Sequence, residues 1–289
     1  MGILLGVTAA FGWGAASFIG RQTTQVLGAV SALLFSQLIS FITILSYLLL
    51  SGELVMRING SQWQWWAWSA LAATIHTMSL IMVFRSFEVG VLSVVAPIAG
   101  SYSAVTVFLS YLSGEILTPL NALGIALAIT GVMLVAIKPR PAGEPGQLMA
   151  GVGWAIGAAL GLGFGYWIVG FQVTPHLGGV THVLVVRTSS LVWLTLFFIV
   201  SGKHELFHAP PNWRVLGFIV VGSTCANLAY VANNIGYTTG QVGIVSVLAS
   251  MNSAVAVLLA WQFLKERLRP TQWAGVILVL IGVAFISVG

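Results

Sequence analysis

Apolar residues in this chain gather into long blocks separated by short polar intervals. Ten blocks approach the length of about 20 residues that a helix needs to cross a bilayer. They lie at 3–20, 29–51, 62–84, 90–112, 118–137, 149–169, 178–201, 213–236, 242–263 and 270–288. A helix is expected over each, because in lipid a single segment must satisfy its own backbone N–H and C=O groups. The longest polar interval, Lys138 to Gln147, contains three Pro and two Gly and predicts a linker over 139–148.

The blocks repeat. Gly20, Gln22, Leu27, Gly28, Ser51, Gly52 and Trp63 recur as Gly170, Gln172, Leu177, Gly178, Ser201, Gly202 and Trp213, each at an offset of 150. Glu115, Gly124 and Gly131 recur as Glu266, Gly275 and Gly282 at an offset of 151. The chain therefore divides into related halves, 1–138 and 149–289. Each half carries five blocks. Five is odd, so the second half enters the membrane from the opposite side. The expected fold class is an all-α, polytopic membrane protein with ten transmembrane helices in two inverted five-helix repeats.

Composition agrees with a lipid solvent. Of 289 residues, 6% are charged, against roughly 25% in a soluble domain. The mean hydropathy is +1.00. The apolar stretch from Ile3 lacks a basic leader and reads as a span rather than a signal peptide. Cys225 is the one cysteine, so no internal disulfide is expected.

The net charge of +5 is a topology signal before it is a nucleic-acid signal, and no nucleic-acid partner is expected. On the face bearing the N-terminus, side A, the loops hold Arg57 alone. The opposite face, side B, holds Arg21, Arg85, Lys138, Arg140, Lys203, Arg214, Lys265, Arg267 and Arg269. The positive-inside rule then places both termini outside the cytoplasm in a multi-pass inner (plasma) membrane protein.

Arg187 is the one charge well inside a block. A charge at that depth marks a functional site by default. It would meet a substrate carboxylate or phosphate, or else pair structurally with helix-end carbonyls or a loop acid. Its repeat counterpart is Gln37. The chain contains no Asp, and its six Glu fall in loops or at block ends. Cation antiport driven by a membrane carboxylate is therefore disfavoured.

Asn227, Tyr230, Asn234 and Tyr237 share an arc of about 80° on the eighth helix, facing a cavity or another helix. Ser246, Ser250 and Ser253 form a weaker polar stripe on the ninth. Trp13 lies too deep for an interfacial belt, whereas Trp167 suits one. His76 and His182 are candidate proton carriers, although a packed imidazole is the ordinary case. Gly153, Gly157, Gly161 and Gly165 form a close-packing stripe. The central cavity is expected among spans 1, 3, 4, 6, 8 and 9. No metal-ligand set, phosphate-binding Gly loop or nucleophile–base pair occurs, so neither an enzyme nor a cofactor is expected.

These features resemble the drug/metabolite transporter superfamily, specifically its EamA-type ten-helix members. The resemblance spans nearly the whole chain. It rests on Trp13-Gly14, Arg187 and the closing Glu266-Arg267-Leu268 with Gln272, Trp273, Gly275 and Gly282. In the first-half copy Glu115 is followed by Ile116 instead of Arg. Members are commonly described with cytoplasmic termini, against the charge bias here.

The resemblance implies a secondary transporter, mostly an exporter of amino acids, other metabolites or small cations. The expected substrate is an amino acid or related carboxylate; the alternative is a small organic cation held by aromatic rings. The candidate substrate contacts are Trp13, His76, Tyr102, Arg187, Asn227, Tyr230, Asn234 and Ser253. The expected partners are a small-molecule substrate, the lipid bilayer and a proton or other coupling ion, with the protein a monomer.

Overall fold

The computed structural model describes residues 1–89, 98–136, 151–201, 211–239, 241–264 and 269–289. Among them every regular element is helical. The first half contains α1 (Gly2–Leu27), α2 (Ala29–Leu50), α3 (Glu53–Gly60), α4 (Trp63–Val89), α5 (Tyr102–Leu112) and α6 (Pro119–Ala136). The second contains α7 (Val152–Ile168), α8 (Thr174–Leu177), α9 (Gly179–Ser201), α10 (Trp213–Tyr237), α11 (Val242–Ser250), α12 (Asn252–Leu264) and α13 (Pro270–Val288). Eight apolar stretches are long enough to cross a bilayer, and shorter apolar helices at Ile98–Leu112 and Pro119–Val135 stand at the fourth and fifth expected spans. The protein is an all-α, polytopic membrane fold. The linker at 139–148 lies outside the described residues.

Helix ends differ from the apolar blocks because a helix stops at a turn, not where hydrophobicity fades. The first helix runs past residue 20 to Leu27 and ends at Gly28, whose φ of 78° favours glycine. There the Gly28 N–H donates to Thr24 O at 2.9 Å. The same turn recurs at Gly178, φ 84°, with its N–H on Thr174 O at 3.2 Å. The sixth span likewise extends beyond residue 169. It passes through a π turn at Val169–Val173 and continues as α8. Pro175 has no N–H to continue the ordinary ladder, which accounts for the widening just before it. The ninth span breaks at Met251, between α11 and α12.

The polar interval after α2 is not all loop, since α3 forms there. Glu53 in its first turn and Arg57 in its last suit the helix dipole and approach to 3.7 Å. Arg57 also donates to His176 O at 3.4 Å, while the His176 ring stacks on Trp65 at 3.5 Å.

Packing repeats between the halves. Gly14 of α1 lies against Val255 and the Asn252 carbonyl; Gly163 of α7 lies against Val105 and the Tyr102 carbonyl. Val105 and Val255, like Tyr102 and Asn252, are 150 residues apart. Helices α6 and α13 touch backbone to backbone. A Cβ on Gly124 would lie 2.7 Å from Gly282 O, and one on Gly131 would lie 2.6 Å from Gly275 O. Each glycine meets the repeat counterpart of the other, as two-fold related surfaces require. Ile125, Ala128, Val132, Val279 and Ile286 surround these crossings and form a core with Ile244, Val247 and Leu248 of α11.

Both termini lie on side A. Gly2 abuts Thr239 and Gln241, and Gly289 abuts Thr118 and Asn121.

Candidate functional site

Seven helices meet around Arg187. Arg187 is 5% exposed, and its guanidinium is held by amides. Its Nε and Nη2 donate to Asn227 Oδ1 at 3.1 and 3.0 Å, and Nη1 donates to Gln37 Oε1 at 3.0 Å. Asn227 is fixed in turn, because its Nδ2 donates to Ser40 O at 3.1 Å. The guanidinium carbon stands 4.7 Å from the Tyr230 ring centroid. Among the described residues no carboxylate pairs with Arg187. A buried cation surrounded by neutral amides keeps a strong attraction for an anion, because amides offset only part of its lost hydration.

Aromatic side chains cover the same region. Tyr230 meets Trp13 edge-on, with centroids 4.9 Å apart, and its hydroxyl pairs with His76 Nε2 at 2.8 Å. Tyr166 stands 6.3 Å from Trp13, 5.8 Å from His76 and 5.4 Å from Tyr102. Six of the eight sequence candidates, Trp13, His76, Tyr102, Arg187, Asn227 and Tyr230, thus join one cluster.

The other two stand elsewhere. Asn234 lies two turns beyond Asn227, where its Nδ2 donates to Gly179 O at 3.0 Å and ties α10 to α9. Ser253 lies in α12 with a buried hydroxyl that has no partner among the described residues. His182 is satisfied by Ser69, Nδ1 to Oγ 2.8 Å. Trp167 donates to the Ser113 hydroxyl at 2.8 Å, in an exposed position at the side-A end.

Beside Arg187 is a cavity of about 170 Å³. Its walls include Ala16, Gly20 and Thr23 of α1, Ser36 and Gln37 of α2, and Phe218, Gly222 and Ala226 of α10. These positions fall in the side-B halves of their helices, so the cavity lies on side B with Arg187 at its inner end. Its walls come from spans 1, 2, 7 and 8, rather than the set 1, 3, 4, 6, 8 and 9 expected from polar content. The reason is Arg187 itself: by reaching Gln37 it draws α2 and α9 into the wall.

Two contributors were absent from the sequence-based candidates. Tyr166 stands beside Trp167 in the chain, and an aromatic neighbour alone does not mark a site. Gln37 carried a usable signal, because it is the repeat counterpart of Arg187. A residue near a two-fold axis meets its own counterpart, and the 150-residue offset joins these two.

Comparison with known proteins fits this architecture. The model of the EamA-like transporter family matches residues 1–137 and again 149–288. The chain belongs to the EamA-like transporter family. It is therefore a membrane transporter of the drug/metabolite type. A solved crystal structure of a protein is similar to this EamA chain over 99% of its length and 96% of the other chain, with a TM-score of 0.78 and 17% identity. At that identity the likeness concerns the fold alone. A search of curated proteins finds no match.

Proposed function

We propose that this EamA-family protein is a secondary transporter that exports a small carboxylate-bearing metabolite, with an amino acid the first choice. The observation that carries the reading is Arg187, a buried guanidinium at the end of a cavity with neutral amides as its hydrogen-bond partners. The substrate carboxylate would dock there. Trp13, Tyr102 and Tyr230 would cover its apolar part, and His76 and Asn227 would supply polar contacts. The cavity of about 170 Å³ is well below the roughly 300–1,000 Å³ of drug-sized pockets, which favours a small solute.

The ten-span chain is read as two repeats, 1–138 and 149–289, that rock about a midplane site to give alternating access. The charge bias puts side B in the cytoplasm, so the cavity faces the compartment from which an exporter loads. A C-terminal alkaline phosphatase fusion should then be active and a C-terminal fluorescent protein dark. The reverse pattern would overturn the orientation.

An organic cation is the second reading, favoured by the aromatic cluster of Trp13, Tyr102, Tyr166 and Tyr230. Against it, the Tyr230 ring already faces the Arg187 guanidinium, which would repel a second cation. A thermal-shift screen of the purified protein against amino acids, nucleosides and quaternary amines separates the readings. A true ligand at 100 times its dissociation constant stabilises by about 2.7 kcal/mol. Stabilisation by quaternary amines and not by amino acids would overturn the carboxylate reading.

A further inference from the structure

A single side chain ties the side-A ends of two helices together. Glu115 stands in the turn between α5 and α6, outside the spans, yet is 8% exposed. Its Oε2 accepts the N–H of Gly243 at 2.8 Å, and its Oε1 that of Ile244 at 3.4 Å. These residues form the first turn of α11, where free N–H groups concentrate the positive end of the helix dipole. The fit is close: a Cβ on Gly243 would lie 3.3 Å from both Oε2 and Val107 Cα. The contact joins the first half of the chain to the second.

Behind it, buried polar groups lead along α10 toward the aromatic cluster. The Tyr237 hydroxyl pairs with Ser246 Oγ at 2.9 Å. One turn deeper, the Asn233 side chain is fully buried and within reach of the Tyr237 hydroxyl. One further turn reaches Tyr230.

We propose that Glu115 is the side-A gate residue of the transport cycle: its carboxyl holds the fourth span against the start of the ninth, and the protein opens to side A by breaking that contact. The proposal rests on the alternating-access reading above. Burial pushes the Glu115 carboxyl above the usual range, against the opposing effect of the Gly243 and Ile244 N–H groups and the Ser110 hydroxyl. Among the described residues, the titratable group facing it is the Tyr237 phenol. A neutral carboxyl still accepts the Gly243 N–H, and so does the oxygen of a Gln amide. Glu115→Gln should therefore keep the gate, whereas Glu115→Ala should lose it.

The test uses the full chain in vesicles, in a Cys225→Ser background, with a membrane-impermeant maleimide applied from each side. Ser246→Cys reports on side A beneath the contact, Ala226→Cys on the side-B cavity, and exposed Asn59→Cys normalises the chemistry. Glu115→Ala should raise labelling of Ser246→Cys about tenfold and lower that of Ala226→Cys about tenfold, a change of about 100-fold in the ratio of the two states, or about 2.7 kcal/mol. Glu115→Gln should stay close to the parent. Increased labelling at both reporters would mean lost structure and would overturn the proposal, as would no change at either. Amino-acid transport is measured on the same vesicles. A reciprocal shift without amino-acid transport keeps the gate and removes the substrate reading. Transport without the shift does the opposite.

Discussion

Arg187→Ala is expected to weaken binding of a carboxylate substrate about 100-fold, or about 2.7 kcal/mol, while leaving the protein folded. The binding loss follows from the partners. Arg187 faces Asn227, Gln37 and the Tyr230 ring, so the substrate would supply the one anion it meets. The fold tolerates the change because a buried cation without a counter-charge carries its own desolvation cost, which leaves with it. Water in the adjoining cavity can reach the freed amides. Arg187→Lys should recover part of the affinity, as a point charge without the planar fork. A quaternary amine should respond in the opposite sense, binding more tightly once the repelling guanidinium is gone. Isothermal titration on purified variants reads both ligands. Unchanged carboxylate affinity in Arg187→Ala would make Arg187 a structural residue and remove the main support for the proposed substrate.

Much of this site was legible in the sequence because lipid leaves few reasons for a polar side chain to lie deep. Arg187, Asn227 and Trp13 stood out on depth alone, and all three join the cluster. Depth does not say which polar faces meet. Asn227 and Asn234 share one helical stripe and looked equivalent. They are separated by about 10 Å along the helix axis, so one reaches Arg187 and the other the Gly179 carbonyl near side A. Glu115 was placed at a block end, which does not say what covers it. A carboxylate outside an apolar block reads as solvated, yet chain reversal brings the start of α11 over it. The gate residue is thus a tertiary fact: Gly243 is 128 residues away, and no local pattern marks the pair. Helix ends were misjudged where polar residues continue a helix beyond its apolar part, as in α1 to Leu27. The 150-residue offset carried more than topology. The equivalence of Gln37 and Arg187 was a pointer, left unused in the sequence reading, to a contact that no periodicity could have shown.

The repeat also makes the crossing of α6 and α13 a quantitative test. A Cβ on Gly124 would meet Gly282 O at 2.7 Å and Ile286 N at 2.9 Å; one on Gly275 would meet Gly131 O at 2.7 Å and Val135 N at 2.8 Å. These surroundings are counterparts at the 151-residue offset. Gly131 and Gly282 are matched in the same way, against Val279 N and Ala128 N, each at 2.7 Å. In every case the obstacle is backbone, so a methyl group must push whole helices apart. Alanine at each of the four positions should lower stability by about 1–3 kcal/mol, the usual cost of overpacking. This outweighs the gain of up to about 1 kcal/mol that Ala brings to a helix over Gly. Gly153→Ala isolates that gain, because a Cβ there would meet nothing within 4 Å, and it should be neutral or stabilising. Within each matched pair the losses should agree. The double variant Gly131→Ala/Gly275→Ala should cost less than the sum of its singles, since helices already separated by the first methyl make room for the second. Thermal unfolding of the detergent-purified variants measures all of this. Four variants as stable as Gly153→Ala would show that the helices do not touch, and unequal losses within a pair would show that the two-fold relation fails at its closest contact.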